Sequence, residues 1–158
     1  MGLTTLQNDC LELMEKSLFV DFTTIDQDGF PATRAMLNLR NRKLYPRLQP
    51  LYAAEKHPLT VYLTTNSNSD KIDELAINPY ACLYYCWPDD FHGVLLQGYV
   101  ESIKDDDFKR LVWHSGWEIY HPIVEDSPVD DYSRYALLRF IPTRLKTYAN
   151  FKVERSGV

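Results

Sequence analysis

Apolar residues near the start of the chain recur at steps of three and four: Leu3, Leu6, Cys10, Leu13 and Met14. That spacing predicts an amphipathic helix over roughly residues 3–17. The pattern then changes, because Leu18 to Ile25 is rich in β-branched and aromatic residues, the composition of a strand. Asp26-Gln27-Asp28-Gly29 follows as a turn whose glycine can take positive φ, and Phe30 to Leu39 reads as the return strand of a hairpin. Residues 40–58 hold Pro46, Pro50 and Pro58 among Leu and Tyr, which suggests a packed connection with one helical turn.

Leu59 to Thr65 is a further strand and Asn66 to Asn68 a polar turn. Ser69 opens a short helix: Asp70, Asp73 and Glu74 suit its positive end, and Asn78-Pro79 stops it. The aromatic run Tyr80 to Trp87 is expected to be a strand buried on both faces. Pro88 to Gly93 turns into a long strand, Val94 to Ile103, interrupted by Gly98. Asp105 to Asp107 begins a helix containing Phe108, Leu111 and Val112; an irregular aromatic stretch runs to about Asp131; Tyr135 to Ile141 is the last strand, resuming near Tyr148. Repeats, low-complexity tracts and linkers are absent, so the expectation is one β-dominated domain over residues 1–158 with peripheral helices, closed as an antiparallel barrel.

Composition sharpens this picture. With 158 residues, 45% apolar and 13% aromatic, the chain is long enough for one well-packed core. The formal net charge of −5 argues against a general nucleic-acid binder, which would show a basic face, but not against a local anion site. No apolar run approaches the ~20 residues that span a bilayer, and Met1 to Ser17 carries Asp9, Glu12 and Glu15 rather than the basic-then-apolar pattern of a signal peptide, so no membrane role is expected. Cys10, Cys82 and Cys86 form no C-x-x-C, which fits a reducing compartment and a cytoplasmic location.

Two segments carry candidate chemistry. Alternation along Thr33 to Leu39 puts Ala35, Leu37 and Leu39 on one face, expected to be the interior, and Arg34, Met36 and Asn38 on the other, expected to point outward. The turn Thr64-Thr65-Asn66-Ser67-Asn68-Ser69-Asp70-Lys71 is dense in hydroxyls, joins a strand to a helix start and places a lysine in the first helical turn, where free N–H groups and the helix dipole favour an anion. The glycines of a P-loop are missing, so triphosphate hydrolysis has no support. His57, His92, His114 and His121 are too scattered for a metal set, Cys82 and Cys86 read as small packing residues, and the Asp105 to Asp107 run lacks the ligands of a calcium loop. Hydrolase motifs are absent.

In order, the hairpin, R-A-M-L-N-L, T-T-N-S-N-S-D-K, the N-P stop, Y-A-C-L-Y-Y-C-W and L-L-Q-G-Y-V-E make up a pattern that resembles the pyridoxamine 5′-phosphate oxidase-like FMN-binding split barrels, in particular the general stress protein branch. The resemblance runs over roughly residues 10–145, and its most specific parts are S-D-K-I-D-E-L-A-I-N-P, Q-G-Y-V-E and W-H-S-G-W-E-I-Y. It implies a mainly β fold, a six-stranded antiparallel split β-barrel with peripheral helices. It also implies FMN as cofactor, with Arg34 and Lys71 holding its phosphate and Ser69 donating a hydrogen bond. Met36, Leu37, Thr64 and Thr65 would line the ribityl chain and ring edge. Gln97 would reach the flavin of a partner subunit in a homodimer, and Trp113 and Trp117 would stand near the pocket mouth, or else serve as packing. The implied activity is an FMN-dependent oxidoreductase acting on a small molecule; binding of the deazaflavin F420, or non-catalytic flavin or haem binding on the same barrel, are the alternatives.

Two departures bear on substrate. Arg144-Leu145-Lys146-Thr147-Tyr148 and a polar tail stand where the pyridoxamine phosphate oxidases carry an arginine-rich ending, so oxidation of pyridoxamine phosphate itself is not expected. His121 to Asp126 replaces a glycine-rich stretch and alters one wall of the implied pocket.

Overall fold

The computed structural model describes residues 3–121 and 134–158. Helix α1, Thr5–Lys16, starts at a capping box in which the Thr4 hydroxyl accepts from the Gln7 N–H and the Gln7 side chain accepts from the Thr4 N–H. It buries Cys10, Leu13 and Met14. Strands β1, Phe19–Ile25, and β2, Pro31–Leu37, form the expected hairpin. The Asp26 carboxylate accepts from the N–H groups of Asp28 and Phe30 at 2.9 and 2.8 Å, and Gly29 takes φ 86°. The remaining helices are α2, Gln49–Ala53, α3, Asp70–Ile77, and α4, Asp106–Val112. The remaining strands are β3, Val61–Asn66, β4, Tyr80–Trp87, β5, His92–Ile103, β6, Tyr135–Ala149, and β7, Lys152–Gly157.

All strand pairs are antiparallel, in the order β2-β1-β4-β5-β6-β3, and β7 adds to β6. These are the six strands of the expected split barrel; the ladder stays open between β2 and β3, and the split lies there. The chain after Arg144 thus continues as strand, so that β6 runs unbroken where the sequence predicts two pieces. It can do so despite Pro142 because the register with β5 shifts there: Gln97 faces Arg144 and Gly98 faces Pro142, a bulge that absorbs the missing donor.

Two hydrophobic clusters lie on opposite sides of β3. Val61 and Leu63 join the first, with Met14, Phe22, Leu83, Tyr85 and Phe140; Tyr62 joins the second, with Tyr45, Leu48, Tyr52, Trp117 and Tyr135. The strand buried on both faces is therefore β3 and not β4. In β4, Leu83 and Tyr85 are wholly buried while Tyr80 and Cys86, on the opposite row, are exposed, because among the described residues nothing covers the outer side of that strand.

The alternation on β2 is also opposite to expectation. Pro31, Thr33 and Ala35 are exposed, whereas Ala32, Arg34 and Met36 take the inward row, opposite the buried Phe22 and Thr24 of β1. Leu39 is buried as expected, but Asn38 is also fully buried: its amide donates to the carbonyls of Met14 and Ser17 at 2.6 and 2.7 Å and ties α1 to the end of the hairpin. Beside it, buried Arg40 stacks over the Tyr52 ring at 4.1 Å and donates from Nε to the Thr60 carbonyl at 2.9 Å. Among the described residues no helix is long and apolar enough to cross a membrane.

Gly98 has no room for a side chain, since a Cβ there would stand 2.0 Å from the Ile141 carbonyl oxygen. Gly98→Ala is therefore expected to lower stability by at least about 2 kcal/mol. Gly157→Ala, where a Cβ meets nothing within 4 Å, should change it by less than about 0.5 kcal/mol. Urea unfolding of the two variants beside the parent checks both values.

Candidate functional site

The end of β3 and the start of α3 bring three of the expected residues together. Ser69 precedes α3 in extended conformation, but its hydroxyl does not cap the helix; it lies 3.1 Å from the Thr65 Oγ1. Lys71 Nζ donates to the same Thr65 oxygen at 2.9 Å. Asp70 and Asp73 occupy the first turn, where they complement the helix dipole. Thr64 and Thr65 are adjacent in a strand and so point to opposite faces: Thr65 joins this group and Thr64 turns toward the other side, both buried.

Arg34 enters from β2. Its Nη1 donates to the Ala32 carbonyl at 2.7 Å and to the Thr24 Oγ1, and its Nη2 donates to Glu74 Oε2 at 2.9 Å. The Thr24 hydroxyl in turn donates to the same Glu74 oxygen. Arg34 keeps 24% of its side chain exposed and Glu74 only 11%, so the carboxylate is the more deeply buried partner of the pair.

The Lys71 ammonium is held below the ordinary lysine range, first by burial and then by the nearby Arg34 charge, with Glu74 and Asp70 partly offsetting both. Two cations thus share one small polar site and repel one another across it. Outside it, Asp26, Asp28, Asp70, Asp73 and Glu74 line a crevice of about 310 Å³ together with Gln27 and Ile77.

Other expected residues lie elsewhere. Met36, half-buried, packs on the first hydrophobic cluster and Leu37 on the second. Gln97 is exposed on β5, opposite Cys82 and Arg144, three strands and roughly 14 Å along the sheet from β2. Trp113 and Trp117 lie in the second cluster, their ring centroids 5.9 Å apart and 5.1 and 6.4 Å from that of Tyr135, which is the packing alternative. His114 and His121 also touch this cluster, at Trp117 and Trp113. The altered wall expected from 122–126 lies outside the described residues.

Glu74 is the residue that reading the sequence missed, having taken it only as a favourable charge near a helix start. The available signal was spacing: Lys71 and Glu74 are three apart on α3 and so share a face, the one turned to the sheet. Among the described residues no set of three or more His, Cys, Asp and Glu side chains is placed to hold a metal ion.

Because Trp117 is only 4% exposed and contacts Tyr45, Trp113 and Tyr135, Trp117→Ala should destabilise the protein by about 3 kcal/mol or more. Guanidinium unfolding followed by tryptophan fluorescence measures this loss.

Comparison with known proteins adds an independent line. The family model described as pyridoxamine 5′-phosphate oxidase matches residues 6–148. Among solved structures the chain is similar to a protein related to general stress protein 26, of the pyridoxinephosphate oxidase family, from Clostridium acetobutylicum; identity is 26%, TM-score 0.74, and 96% of this chain and 93% of that one are covered. It shares its fold with general stress protein 26 from Bacillus anthracis, at 14% identity and TM-score 0.68, with 97% and 100% covered. The same holds for a pyridoxamine 5′-phosphate oxidase-related, FMN binding protein from Nostoc punctiforme, at 13% identity and TM-score 0.61, with 100% and 99% covered. Among curated proteins none matches. With a family model spanning nearly the whole chain, and the split barrel and its Thr65–Ser69–Lys71 turn in place, the chain belongs to the pyridoxamine 5′-phosphate oxidase family.

Proposed function

We propose that this protein binds FMN and, as a homodimer, uses it in an oxidoreductase reaction on a small molecule. The observation that carries the reading is the convergence of Arg34 from β2 and Lys71 from α3, with the Lys71 ammonium and the Ser69 hydroxyl gathered on Thr65 and Ser69 not used as a helix cap. A phosphate dianion fits such a site: it relieves the repulsion between the cations, accepts from both and from Ser69, and meets the start of α3. Arg34, Ser69 and Lys71 would hold the phosphate, while Thr65 keeps the ammonium in place. Thr64, Met36 and Leu37, on the strands that border the split, would line the rest of the cofactor. When bound, FMN supplies hydride chemistry; this chain's residues bind and orient it.

The outer side of the sheet supports the homodimer. Gln97 is exposed there, and on the same face β4 leaves Tyr80 69% exposed. Leu18, Phe19, Tyr84, Cys86 and Trp87 line a mainly apolar groove of about 370 Å³. A second subunit on this face would bury that surface and bring its own Gln97 toward the flavin of the first. Trp113 and Trp117 take no direct part in this reading. A substrate other than pyridoxamine phosphate belongs to this reading, because Arg144-Leu145-Lys146-Thr147-Tyr148 on β6 is not the arginine-rich segment that would grip a second phosphate. A reducing, cytoplasmic setting suits three free thiols.

Four expected outcomes test the proposal. Arg34→Ala and Lys71→Ala should each weaken FMN binding by about 1.5–3 kcal/mol, on the order of ten- to a hundredfold. Riboflavin, which lacks the phosphate, should bind parent and variants with similar weakness. Calorimetric titration of the flavin-free protein reads both; unchanged FMN affinity in both variants places the phosphate elsewhere. The spectrum of the purified protein should show flavin bands near 450 nm, against a 420 nm band for F420 or a Soret band for haem. Light scattering should give a dimer mass, and a monomer that binds FMN tightly would remove Gln97 from the site.

A further inference from the structure

We infer that Glu74 is a positioning residue for Arg34: together with the Thr24 hydroxyl it fixes the guanidinium so that one edge stays open to a phosphate. The inference rests on the phosphate reading above. A guanidinium has five N–H donors. The two on Nη1 go to the Ala32 carbonyl and Thr24 Oγ1, and one on Nη2 goes to Glu74 Oε2. The Nε hydrogen and the second Nη2 hydrogen meet no acceptor among the described residues. Nε and Nη2 are the two nitrogens that present parallel donors to a phosphate. The three internal contacts therefore spend the inner half of the group and leave the half that recognises a planar or tetrahedral oxyanion.

The brace is itself held. Glu74 is buried on α3, and its Oε2 also accepts from Thr24, a wholly buried residue of β1. One short helix thus contributes the hydroxyl beside its start, the Lys71 ammonium and the carboxylate that aims the second cation supplied by β2. Charge alone gives Glu74 the opposite effect, because a carboxylate this close to an incoming dianion repels it. Positioning and simple repulsion therefore predict changes of opposite sign, and FMN affinity separates them.

The experiment titrates FMN and riboflavin into flavin-free parent, Glu74→Ala, Glu74→Gln, Thr24→Val, Arg34→Ala and the Arg34→Ala/Glu74→Ala double variant, with denaturant midpoints recorded for each. Glu74→Ala is expected to bind FMN at least tenfold more weakly than the parent. Glu74→Gln, which keeps an acceptor oxygen, should stay within threefold. Riboflavin affinity should not move in either. In the Arg34→Ala background Glu74→Ala should have less than a twofold effect, a coupling that a merely structural role would not produce. Thr24→Val keeps shape and charge and should weaken FMN about threefold or more, so it decides the matter if Glu74→Ala does not fold. Tighter or unchanged FMN binding in Glu74→Ala, or unchanged binding in Thr24→Val, with Arg34→Ala weakened, overturns the positioning role and leaves the phosphate reading standing. Arg34→Ala binding FMN like the parent removes that reading, and the role of Glu74 with it.

Discussion

Strand β3 has apolar side chains on both of its faces, and a strand of that kind is stable only between two layers. Val61 and Leu63 require a core on one side and Tyr62 a core on the other. The rest of the architecture answers this requirement. Helix α1 and the barrel strands close the first side; α2, α4 and the turn around Trp117 close the second. Since β6 is the only strand paired with β3 among the described residues, the other edge of β3 faces β2 across the split. The end of β3 is thereby held rigidly beside an opening, and Thr65, with Ser69 and Lys71 arranged around its hydroxyl, is placed on the rim of that opening.

Electrostatics at the rim follow from the same geometry. The split lets a β2 side chain approach α3 without an intervening strand, so Arg34 and Lys71 come into range of one another although nearly forty positions separate them in the chain. Around them the surface is acidic, with Asp70 and Asp73 at the helix start and Asp26 and Asp28 on the hairpin turn. Attraction for an anion is therefore local, depending on two aimed donors rather than on a broad positive field, which agrees with a net charge of −5.

Much of this was legible in the chain itself. The three- and four-residue steps of Leu6, Cys10, Leu13 and Met14 gave α1, the Asp26 to Gly29 turn gave the hairpin, and Ser69 to Asn78 gave α3 with its end, because each depends on interactions within a few residues. The anion site was legible for the same reason on its α3 side. Its β2 side was not: Arg34 was expected to point outward, and the row it occupies is inward. Alternation tells which residues share a face, but not which face a sheet turns to the core; an apolar row of Ala35, Leu37 and Leu39 pointed one way, and tertiary packing of Phe22 and Thr24 decided the other.

The same limit explains β3 and β4. Both read as apolar strands, and only the placement of the layers shows that, among the described residues, β3 is covered on two sides and β4 on one. What the sequence by itself determined is the elements from α1 to the start of β6, their order and the residue types at the end of β3, since propensity, capping and turn chemistry act over short range; β7 and the unbroken course of β6 it did not show. Only the tertiary structure decided which rows face inward, that Trp113 and Trp117 serve the second core, and that Glu74 reaches across to Arg34 and Thr24. Those outcomes depend on contacts between separate elements, in the case of Glu74 forty or more residues apart, and nothing in local periodicity encodes the partner on the other side.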